Sequence, residues 1–270
     1  MNRGDHDWVA ALRRRADVPP PSSREPLRIA GADAVLGSIE RDVGERMLAA
    51  RLPLVRDPAG DGWRLPVEGG VDAALDAIAR WLHAQGLISR WRGEPLDVFD
   101  AQGRAVARVE RAAVRALGIA THAVHLVGRT VEGGWWVQQR AHDKSVDPGL
   151  WDTLTGGLVA AGETVGQTLV RETQEEAGLE VDALQDVRAS DRITVRRPVS
   201  DGYMIEHIAV HEAIVPQGVV PVNRDGEVAR FEHLDTAGIV ERLRGDAFTL
   251  EASLILVGAL ERAGALPAPA

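Results

Sequence analysis

Hydrophobic positions in the first half of the chain predict a mixture of helices and strands. Four apolar residues recur at helical spacing: Val71, Leu75, Ile78 and Leu82. Gly86 follows where that helix would end, because glycine favours the left-handed conformation found after helix C-termini. Residues 96–99 and 105–109 have the composition of strands around a turn at 100–103, and a further helix is expected to reach Leu117.

The second half alternates less regularly between the two patterns. Residues 122–130 and 135–140 predict a hairpin across a glycine-containing turn. A helix is expected over residues 165–177, a strand over 203–213 and a final helix over about 249–263. Strands and helices do not follow one another in the repeated order of a doubly wound sheet, so that architecture is not expected.

These patterns divide the chain into three parts. Residues 1–25 end in three prolines and two serines, and they are expected to form a tail and linker. A short helix or a frayed tail before the extended linker are both compatible with this segment. Residues 26–118 are expected to form a small α+β N-terminal domain, and residues 119–270 a second domain.

Composition and charge exclude several classes of protein. The chain has 270 residues, no cysteine and a formal net charge of -9. Disulfides and thiol nucleophiles are therefore excluded, and nucleic-acid binding is not expected because it needs a basic face. The first 15 residues carry no apolar signal core, and no run of 18 apolar residues occurs. We therefore expect a cytoplasmic protein without membrane contact.

A run of glycine, arginine and glutamate at fixed spacing is the strongest chemical signal in the sequence. It comprises Gly157, Glu163, Arg171, Glu172, Glu175, Glu176 and Gly178. Thr164 and Gln167 have the spacing of a capping box and Gly178 suits the residue after a helix, so the helix over 165–177 should begin and end within this run. Four residues recur at every fourth position and should form its buried stripe: Val165, Leu169, Thr173 and Ala177.

Three carboxylates share one face of this predicted helix. Glu172, Glu175 and Glu176 lie at positions i, i+3 and i+4. Like charges at this spacing destabilise a helix by roughly 0.2–0.5 kcal/mol per pair. A hard divalent cation reverses that cost, because Mg²⁺ and Mn²⁺ prefer oxygen ligands. Since phosphoryl chemistry uses such cations, the pattern favours a Mg²⁺ or Mn²⁺ site that acts on phosphates over a solvated acidic face.

The spacing of the run is that of the Nudix box, so the chain resembles the Nudix hydrolase superfamily. Only Thr173 departs from the box, at a position where a larger aliphatic residue is usual. The resemblance implies an α/β fold, the Nudix α/β/α sandwich with a mixed sheet, here preceded by the small α+β domain. It also implies metal-dependent hydrolysis of the diphosphate linkage of a small organic diphosphate.

The resemblance also implies a role for each residue of the box. The expected metal ligands are the carbonyl group of Gly156 and the carboxylates of Glu172, Glu175 and Glu176. One of these glutamates would act as the base toward water, Arg171 would orient a glutamate, and Glu163 would support the loop or a metal-bound water. Many Nudix enzymes add a carboxylate from a later loop, for which Glu227 is the candidate, with Glu206 and Glu212 as alternatives.

Candidate substrate-binding residues lie mostly just before the box. Residues 138–152 resemble Nudix proteins related to isopentenyl diphosphate isomerase, but that chemistry uses a cysteine, which this chain lacks. The candidates for substrate binding are Arg140, Lys144, Trp151 and Arg92. Three more tryptophans flank the predicted site in sequence: Trp91, Trp135 and Trp136. Aromatic faces attract a cationic head by roughly 0.5–2 kcal/mol, which favours a heterocyclic or cationic substrate.

The segments before the box narrow the resemblance. Residues 91–94, 109–113, 117–119 and 122–126 resemble the region that precedes the Nudix domain in the thiamine-pyrophosphokinase-associated branch. Fungal members of that branch carry a fused kinase domain, for which the 270 residues leave no room. The branch implies that thiamine diphosphate or a damaged analogue is cut to the monophosphate.

Two other functions remain open. A nucleotide-sugar or nucleoside diphosphate pyrophosphatase would use the same box, because the box indicates which bond is cleaved but not which group leaves. A non-catalytic Nudix-like ligand sensor would usually lack box glutamates, whereas all four are present: Glu163, Glu172, Glu175 and Glu176. The expected partner is a small-molecule diphosphate, with no nucleic acid and no membrane, and a homodimer is left open.

Overall fold

The computed structural model describes residues 4–31, 34–88 and 90–267. These residues form six α-helices: α1 (Gly4–Arg15), α2 (Arg41–Ala49), α3 (Val71–Ala84), α4 (Val165–Ala177), α5 (Thr236–Arg244) and α6 (Leu250–Arg262). They form thirteen strands: β1 (Arg24–Ile29), β2 (Val35–Glu40), β3 (Val55–Arg56), β4 (Trp63–Leu65), β5 (Pro95–Phe99), β6 (Ala105–Glu110), β7 (Thr121–Arg129), β8 (Trp135–Arg140), β9 (Trp151–Asp152), β10 (Thr155–Leu158), β11 (Gln185–Val199), β12 (Gly202–Ile214) and β13 (Val228–Leu234). None of the described helices combines the length and apolar character needed to cross a membrane.

The first half of the chain builds a four-stranded sheet and a separate hairpin around one hydrophobic core. The sheet has the order β2-β1-β4-β3, and β5 pairs with β6. Helix α3 buries its apolar stripe in this core, and Gly86 follows it with a φ of +67°. Trp63 is fully buried against α2, where Gly44 leaves no room for a Cβ. The predictions of helix α3 and of the β5–β6 hairpin are confirmed.

The prediction of a helix up to Leu117 is wrong. The structure has only the 3₁₀ turn Arg111–Ala113 there, followed by a turn that ends at Gly118. The backbone of this segment bonds to other parts of the fold. The Arg111 amide donates to the Glu94 carbonyl at 2.9 Å, and the Leu117 carbonyl accepts from the Ser38 amide at 2.8 Å. These long-range bonds replace the hydrogen bonds that a continuous helix would need.

The second half forms a seven-stranded mixed sheet between two layers of helix. Its order is β11-β12-β7-β8-β13, with β10 paired to β7 and β9 paired to β8. Strands β12 and β7 run parallel, whereas β7 and β8 form the predicted antiparallel hairpin. Alternate residues of β7 face opposite layers: Val124 and Leu126 join the core under α4, and Ala123 and Val127 join the core under α6.

Helix α1 packs on the second half of the chain. Val9 and Leu12 are buried in the core that contains α6, and Arg13 pairs with Glu261 at 2.7 Å. Of the two possibilities left open for the first segment, a helix or a frayed tail, the structure has the helix from residue 4. The predicted domain boundaries after residues 25 and 118 stay predictions, since Leu158 packs against the cores of both halves.

Candidate active site

Helix α4 spans Val165–Ala177, between the predicted capping box and Gly178, so the predicted helix and its caps are confirmed. The Thr164 hydroxyl accepts a hydrogen bond from the Gln167 amide at 3.2 Å, and the Gln167 side chain accepts one from the Thr164 amide at 2.8 Å. Gly178 follows with a φ of +63°, which glycine adopts without strain. Thr173, the departure from the box, is fully buried, with its hydroxyl 3.5 Å from that of Thr155.

Strand β10 lies directly against two glutamates of α4. The Glu172 carboxylate fills the space in which a side chain at Gly157 would begin, so any larger residue there would displace the carboxylate. Glu176 is buried and accepts hydrogen bonds from the Gly156 amide at 2.9 Å and from the Gln138 side chain at 3.0 Å. The glycines of β10 therefore bring two of the predicted carboxylates to the backbone that precedes the box.

Arg171 contacts three carboxylates at once. Its Nε and Nη2 donate to the two oxygens of Glu163 at 2.9 Å each, while Nη1 donates to Glu172 at 2.8 Å and to Glu175 at 3.2 Å. The hydrogen bonds from Arg171 lower the pKa of Glu163 to about 2, with help from the Thr168 hydroxyl. This geometry supports the positioning roles predicted for Arg171 and Glu163.

Burial raises the pKa of the two glutamates that lie against β10. It raises the pKa of Glu172 to about 7, against the effect of Arg171, and the charges of Glu175 and Glu227 add to the rise. Burial and then the charge of Glu172 raise the pKa of Glu176 to about 8, and its two hydrogen bonds offset only part of this. A cation bound beside these two neighbouring carboxylates would stabilise their ionised forms and lower both pKa values.

An ion pair joins the loop after β8 to the loop before β13. Lys144 contacts the carboxylate of Glu227. Partial burial acts to raise the pKa of Glu227, but the hydrogen bond and the charge of Lys144 hold it below its usual range. Arg140 lies beside this pair, with Nη1 3.4 Å from an Asp152 carboxylate oxygen and Nη2 donating to the Val146 carbonyl at 3.0 Å.

Most of these charged groups line one cleft of about 560 Å³, whereas Glu163 lies behind Arg171 and does not line it. The second half contributes the β10 glycines, Arg140, Lys144, Glu227 and three of the four box glutamates: Glu172, Glu175 and Glu176. The first half contributes residues 93–96 of the β5 region and two arginines. Several lining residues were not among the sequence candidates, including Arg111, Arg115, His125 and Asp152. Arg111, His125 and Asp152 lie in segments that carry the family resemblance, but only the fold shows which side chains face the cleft.

The structure corrects the substrate-binding role predicted for the tryptophans. Trp151 is 7% exposed and lies in the hydrophobic core, with the Arg242 guanidinium 4.4 Å from its ring centroid. Trp135 is 1% exposed. The other two rings pack against histidines: Trp91 and Trp136. Among the residues that the structure describes, no tryptophan lines the cleft, because these large apolar rings lie in or pack against the hydrophobic cores.

Two further candidates lie outside the cleft. Arg92 lines an adjoining cavity of about 330 Å³, where its guanidinium donates to the Ser145 hydroxyl at 2.8 Å. Glu212 is buried between Arg188 and Arg262, at 2.8 Å from each, and takes no part in lining the cleft. The structure therefore removes Glu212 as an alternative to Glu227.

Glu206 lines the cleft but lies far from the box. It pairs in register with Thr121 of β7, whereas Gly156 pairs four residues further along the same strand. Four residues of extended strand span about 13 Å. Glu227, by contrast, is near enough to Glu172 for its charge to raise the pKa of that carboxylate. The geometry therefore favours Glu227 over Glu206 as the carboxylate from a later loop.

The predicted metal ligands reach the cleft but are not gathered around one point. Across residues 4–31, 34–88 and 90–267, no three histidine, aspartate or glutamate side chains converge closely enough to hold an ion as they stand. Arg171 and Lys144 hold three of the predicted ligands in ion pairs: Glu172, Glu175 and Glu227. Glu176 accepts only hydrogen bonds from amides.

Comparison with known proteins identifies the domain that carries this site. The NUDIX domain family matches residues 120–249. The chain is 30% identical over 209 residues to Nudix hydrolase 24, chloroplastic, of Arabidopsis thaliana, which covers 71% of this chain and 54% of the relative. It is 31% identical over 203 residues to Nudix hydrolase 20, chloroplastic, of the same organism, covering 71% of this chain and 52% of the relative. The chain thus spans about half the length of these two relatives.

A solved structure has a similar fold. The crystal structure of a Deinococcus radiodurans protein superposes with a TM-score of 0.50 and 24% identity, and it covers 61% of this chain and 98% of that protein. The predicted α/β fold, with a mixed sheet between helices after a small N-terminal unit, is confirmed. By its domain match and its relatives, the chain belongs to the Nudix hydrolase superfamily, with its NUDIX domain at residues 120–249.

Proposed function

We propose that this chain is a metal-dependent hydrolase that cleaves the diphosphate linkage of a small organic diphosphate. The observation that carries the proposal is the carboxylate pair Glu172 and Glu176, held against Gly156 and Gly157 in a cleft of about 560 Å³. Arginine and lysine side chains line the same cleft, which suits an anionic substrate. The site therefore combines groups for a cation with groups for phosphate.

The residues present fit Mg²⁺ or Mn²⁺. The Gly156 carbonyl, Glu172 and Glu176 would hold the cation, and Glu175 and Glu227 would add oxygens once released from their ion pairs. Every donor in this set is a hard oxygen, which these ions prefer. When bound, such a cation would neutralise the negative charge that develops on the phosphate oxygens.

The lysine and arginine side chains of the cleft have separate roles. Lys144 and Arg140 line the cleft and would bind phosphate oxygens, Lys144 after it leaves Glu227. Arg171 keeps its bidentate contact with Glu163 and so remains able to position the box glutamates. One of the two box glutamates with a raised pKa would accept the proton from the attacking water.

Within this class, we propose thiamine diphosphate or a damaged analogue as the substrate, cut to the monophosphate. The support is the resemblance of the segments before the Nudix domain to the thiamine-associated branch. Part of those segments forms the cleft wall, including Gly93, Glu94 and Arg111. The tryptophan stacking considered from the sequence no longer supports this substrate, since those rings lie in or pack against the cores and do not line the cleft.

A phosphate-release screen with Mg²⁺ and Mn²⁺ tests the proposal. It compares thiamine diphosphate, its oxo and oxy analogues, ADP-ribose and nucleoside diphosphates. Glu176→Gln should lower turnover by about a hundredfold or more. The matched control is Glu180→Gln, because Glu180 is exposed, accepts a bond from Gln174 at 3.0 Å and lies outside the cleft.

Two results would contradict different parts of the proposal. If no diphosphate is cleaved with either cation, or if Glu176→Gln turns over like the control, the hydrolase assignment fails. If ADP-ribose or a nucleotide is preferred by about tenfold or more, the thiamine assignment fails while the hydrolase assignment stands.

A further inference from the structure

The first half of the chain contributes a guanidinium group to the cleft. Arg111 lines both the cleft of about 560 Å³ and the adjoining cavity of about 330 Å³, so it lies where the two meet. Its side chain is 41% exposed. Within the part of the chain that the structure describes, this guanidinium bonds only to the Glu94 carboxylate, at 2.5 Å. A guanidinium carries five N–H donors, so Arg111 keeps donors for a ligand.

Hydrogen bonds to the backbone fix the turn that carries Arg111. The buried carboxylate of Glu110 accepts hydrogen bonds from the Arg92 amide at 2.8 Å and from the Ala112 amide at 3.3 Å. The Arg111 amide donates to the Glu94 carbonyl at 2.9 Å. The turn is therefore tied to the segment before β5, and a backbone that is already ordered reduces the entropy lost when a side chain binds a ligand.

Three positively charged side chains act on one carboxylate of the cleft. Burial acts to raise the pKa of Glu227, but the hydrogen bond and the charge of Lys144 lower it. The charges of Arg111 and Arg140 lower it further. Arg111 belongs to the first half of the chain, whereas the other two belong to the second. The Glu227 carboxylate therefore occupies a place where positive charge from both halves stabilises an anion.

We propose that Arg111 binds a phosphate group of the substrate together with Lys144 and Arg140, so that the first half of the chain completes the active site. This inference rests on the proposed function, in which Glu227 leaves Lys144 to help hold the cation. Once that carboxylate moves away, the three positive side chains lose the anion that they share. A phosphate oxygen takes its place, and the planar guanidinium of Arg111 offers two parallel N–H donors to a phosphate group.

Kinetics of matched arginine variants test this assignment. With the diphosphate that the wild type cleaves best, Arg111→Gln should raise KM by about tenfold or more while kcat stays within about threefold, because a hydrogen bond between charged groups is lost. The control is Arg104→Gln, which should keep the wild-type KM, since Arg104 pairs with Asp100 at 2.7 Å and lies outside both cavities. Arg111→Lys keeps the charge but not the paired donors, so its KM should lie between those of Arg111→Gln and the wild type. It serves as the second variant if Arg111→Gln folds poorly.

A variant of the paired carboxylate separates phosphate binding from a structural role of the ion pair. The side chains of Arg111 and Glu94 are 41% and 52% exposed, and ion pairs between exposed groups contribute little to stability. Glu94→Gln frees the guanidinium for phosphate and should lower KM by about twofold or more. An ion pair that only supports the fold would instead make Glu94→Gln and Arg111→Gln equally impaired. Equal impairment of these two variants, or an Arg111→Gln variant with the KM of the control, overturns the inference.

Calorimetry with methylenediphosphonate and Mg²⁺ separates this inference from the proposed function. Carbon replaces the bridging oxygen in this probe, so it binds without turnover. Arg111→Gln should bind it about tenfold or more weakly than the wild type, and Arg104→Gln should bind it as the wild type does. A protein that cleaves diphosphates, but whose affinity for the probe is unchanged in Arg111→Gln, refutes this inference alone. A protein that cleaves no diphosphate, yet loses affinity for the probe in Arg111→Gln and not in Arg104→Gln, refutes the proposed hydrolysis alone.

Discussion

Glu176→Gln should stabilise the cation-free protein at high pH while it abolishes hydrolysis. The residue is 3% exposed, and burial together with the charge of Glu172 raises its pKa from 4.5 to about 8. The folded protein therefore binds this proton more tightly than the unfolded chain does. The stabilising contribution is fully present below about pH 4.5, is lost as the pH rises towards 8 and changes little beyond that.

The expected gain follows from the size of the shift. A rise in pKa from 4.5 to about 8 corresponds to about 5 kcal/mol, at 1.36 kcal/mol per pH unit. Glu172 shares the same charge repulsion, so we expect about 2–3 kcal/mol from replacing Glu176 alone. Glutamine has the same shape, and both hydrogen bonds to Glu176 go to a single oxygen, which the carboxamide oxygen can replace.

Denaturant unfolding in EDTA measures this effect. The free energies of unfolding of wild type, Glu176→Gln and the control Glu180→Gln are compared at pH 5 and at pH 8. The Glu176→Gln variant should exceed the wild type by about 2–3 kcal/mol at pH 8 and by much less at pH 5. A variant that is less stable than the wild type at pH 8, or a difference that does not depend on pH, would refute the electrostatic reasoning.

Three further predictions concern turnover. Glu227→Gln should lower kcat by more than about tenfold, because its carboxylate acts on Glu172 across the cleft, and an unchanged rate would remove Glu227 from the site. Gly157→Ala should abolish measurable turnover and leave the circular dichroism spectrum unchanged, because a Cβ there displaces the Glu172 carboxylate. Turnover close to that of the wild type would show that Glu172 is not needed in this position. EDTA should stop hydrolysis and excess Mg²⁺ or Mn²⁺ should restore it, so hydrolysis that persists in EDTA would contradict the cation requirement.

The elements that the sequence predicted well have local causes. Helix α4 is bounded by its own capping box and by Gly178, and the β7–β8 hairpin is set by its glycine-containing turn. The four-stranded sheet of the first half was not predicted. Its strands β3 and β4 have only two and three residues, which is too short for alternation to appear. These strands are defined by pairing with distant parts of the chain, which no local sequence pattern indicates.

The candidate site could likewise be predicted only where local spacing fixes the direction of the side chains. The box glutamates could be grouped in advance because helical spacing fixes which side chains share a face. The tryptophans could not be placed, because nearness in sequence does not determine direction. Trp151 and Asp152 are neighbours on β9, yet Trp151 lies in the core and Asp152 lines the cleft. The distance of Glu206 from the box could be judged only from the pairing of β12 with β7.

The packing of α1 and α6 sets how much of the chain must unfold together. The segment of family similarity, residues 120–249, begins after α1 and ends before α6. Buried side chains of both helices, Leu12 and Leu256 among them, nevertheless share one core with the seven-stranded sheet. Removing either helix would expose that core to water. The cooperative folding unit is therefore larger than the matched NUDIX domain, and heat should melt the sheet and both helices in a single transition.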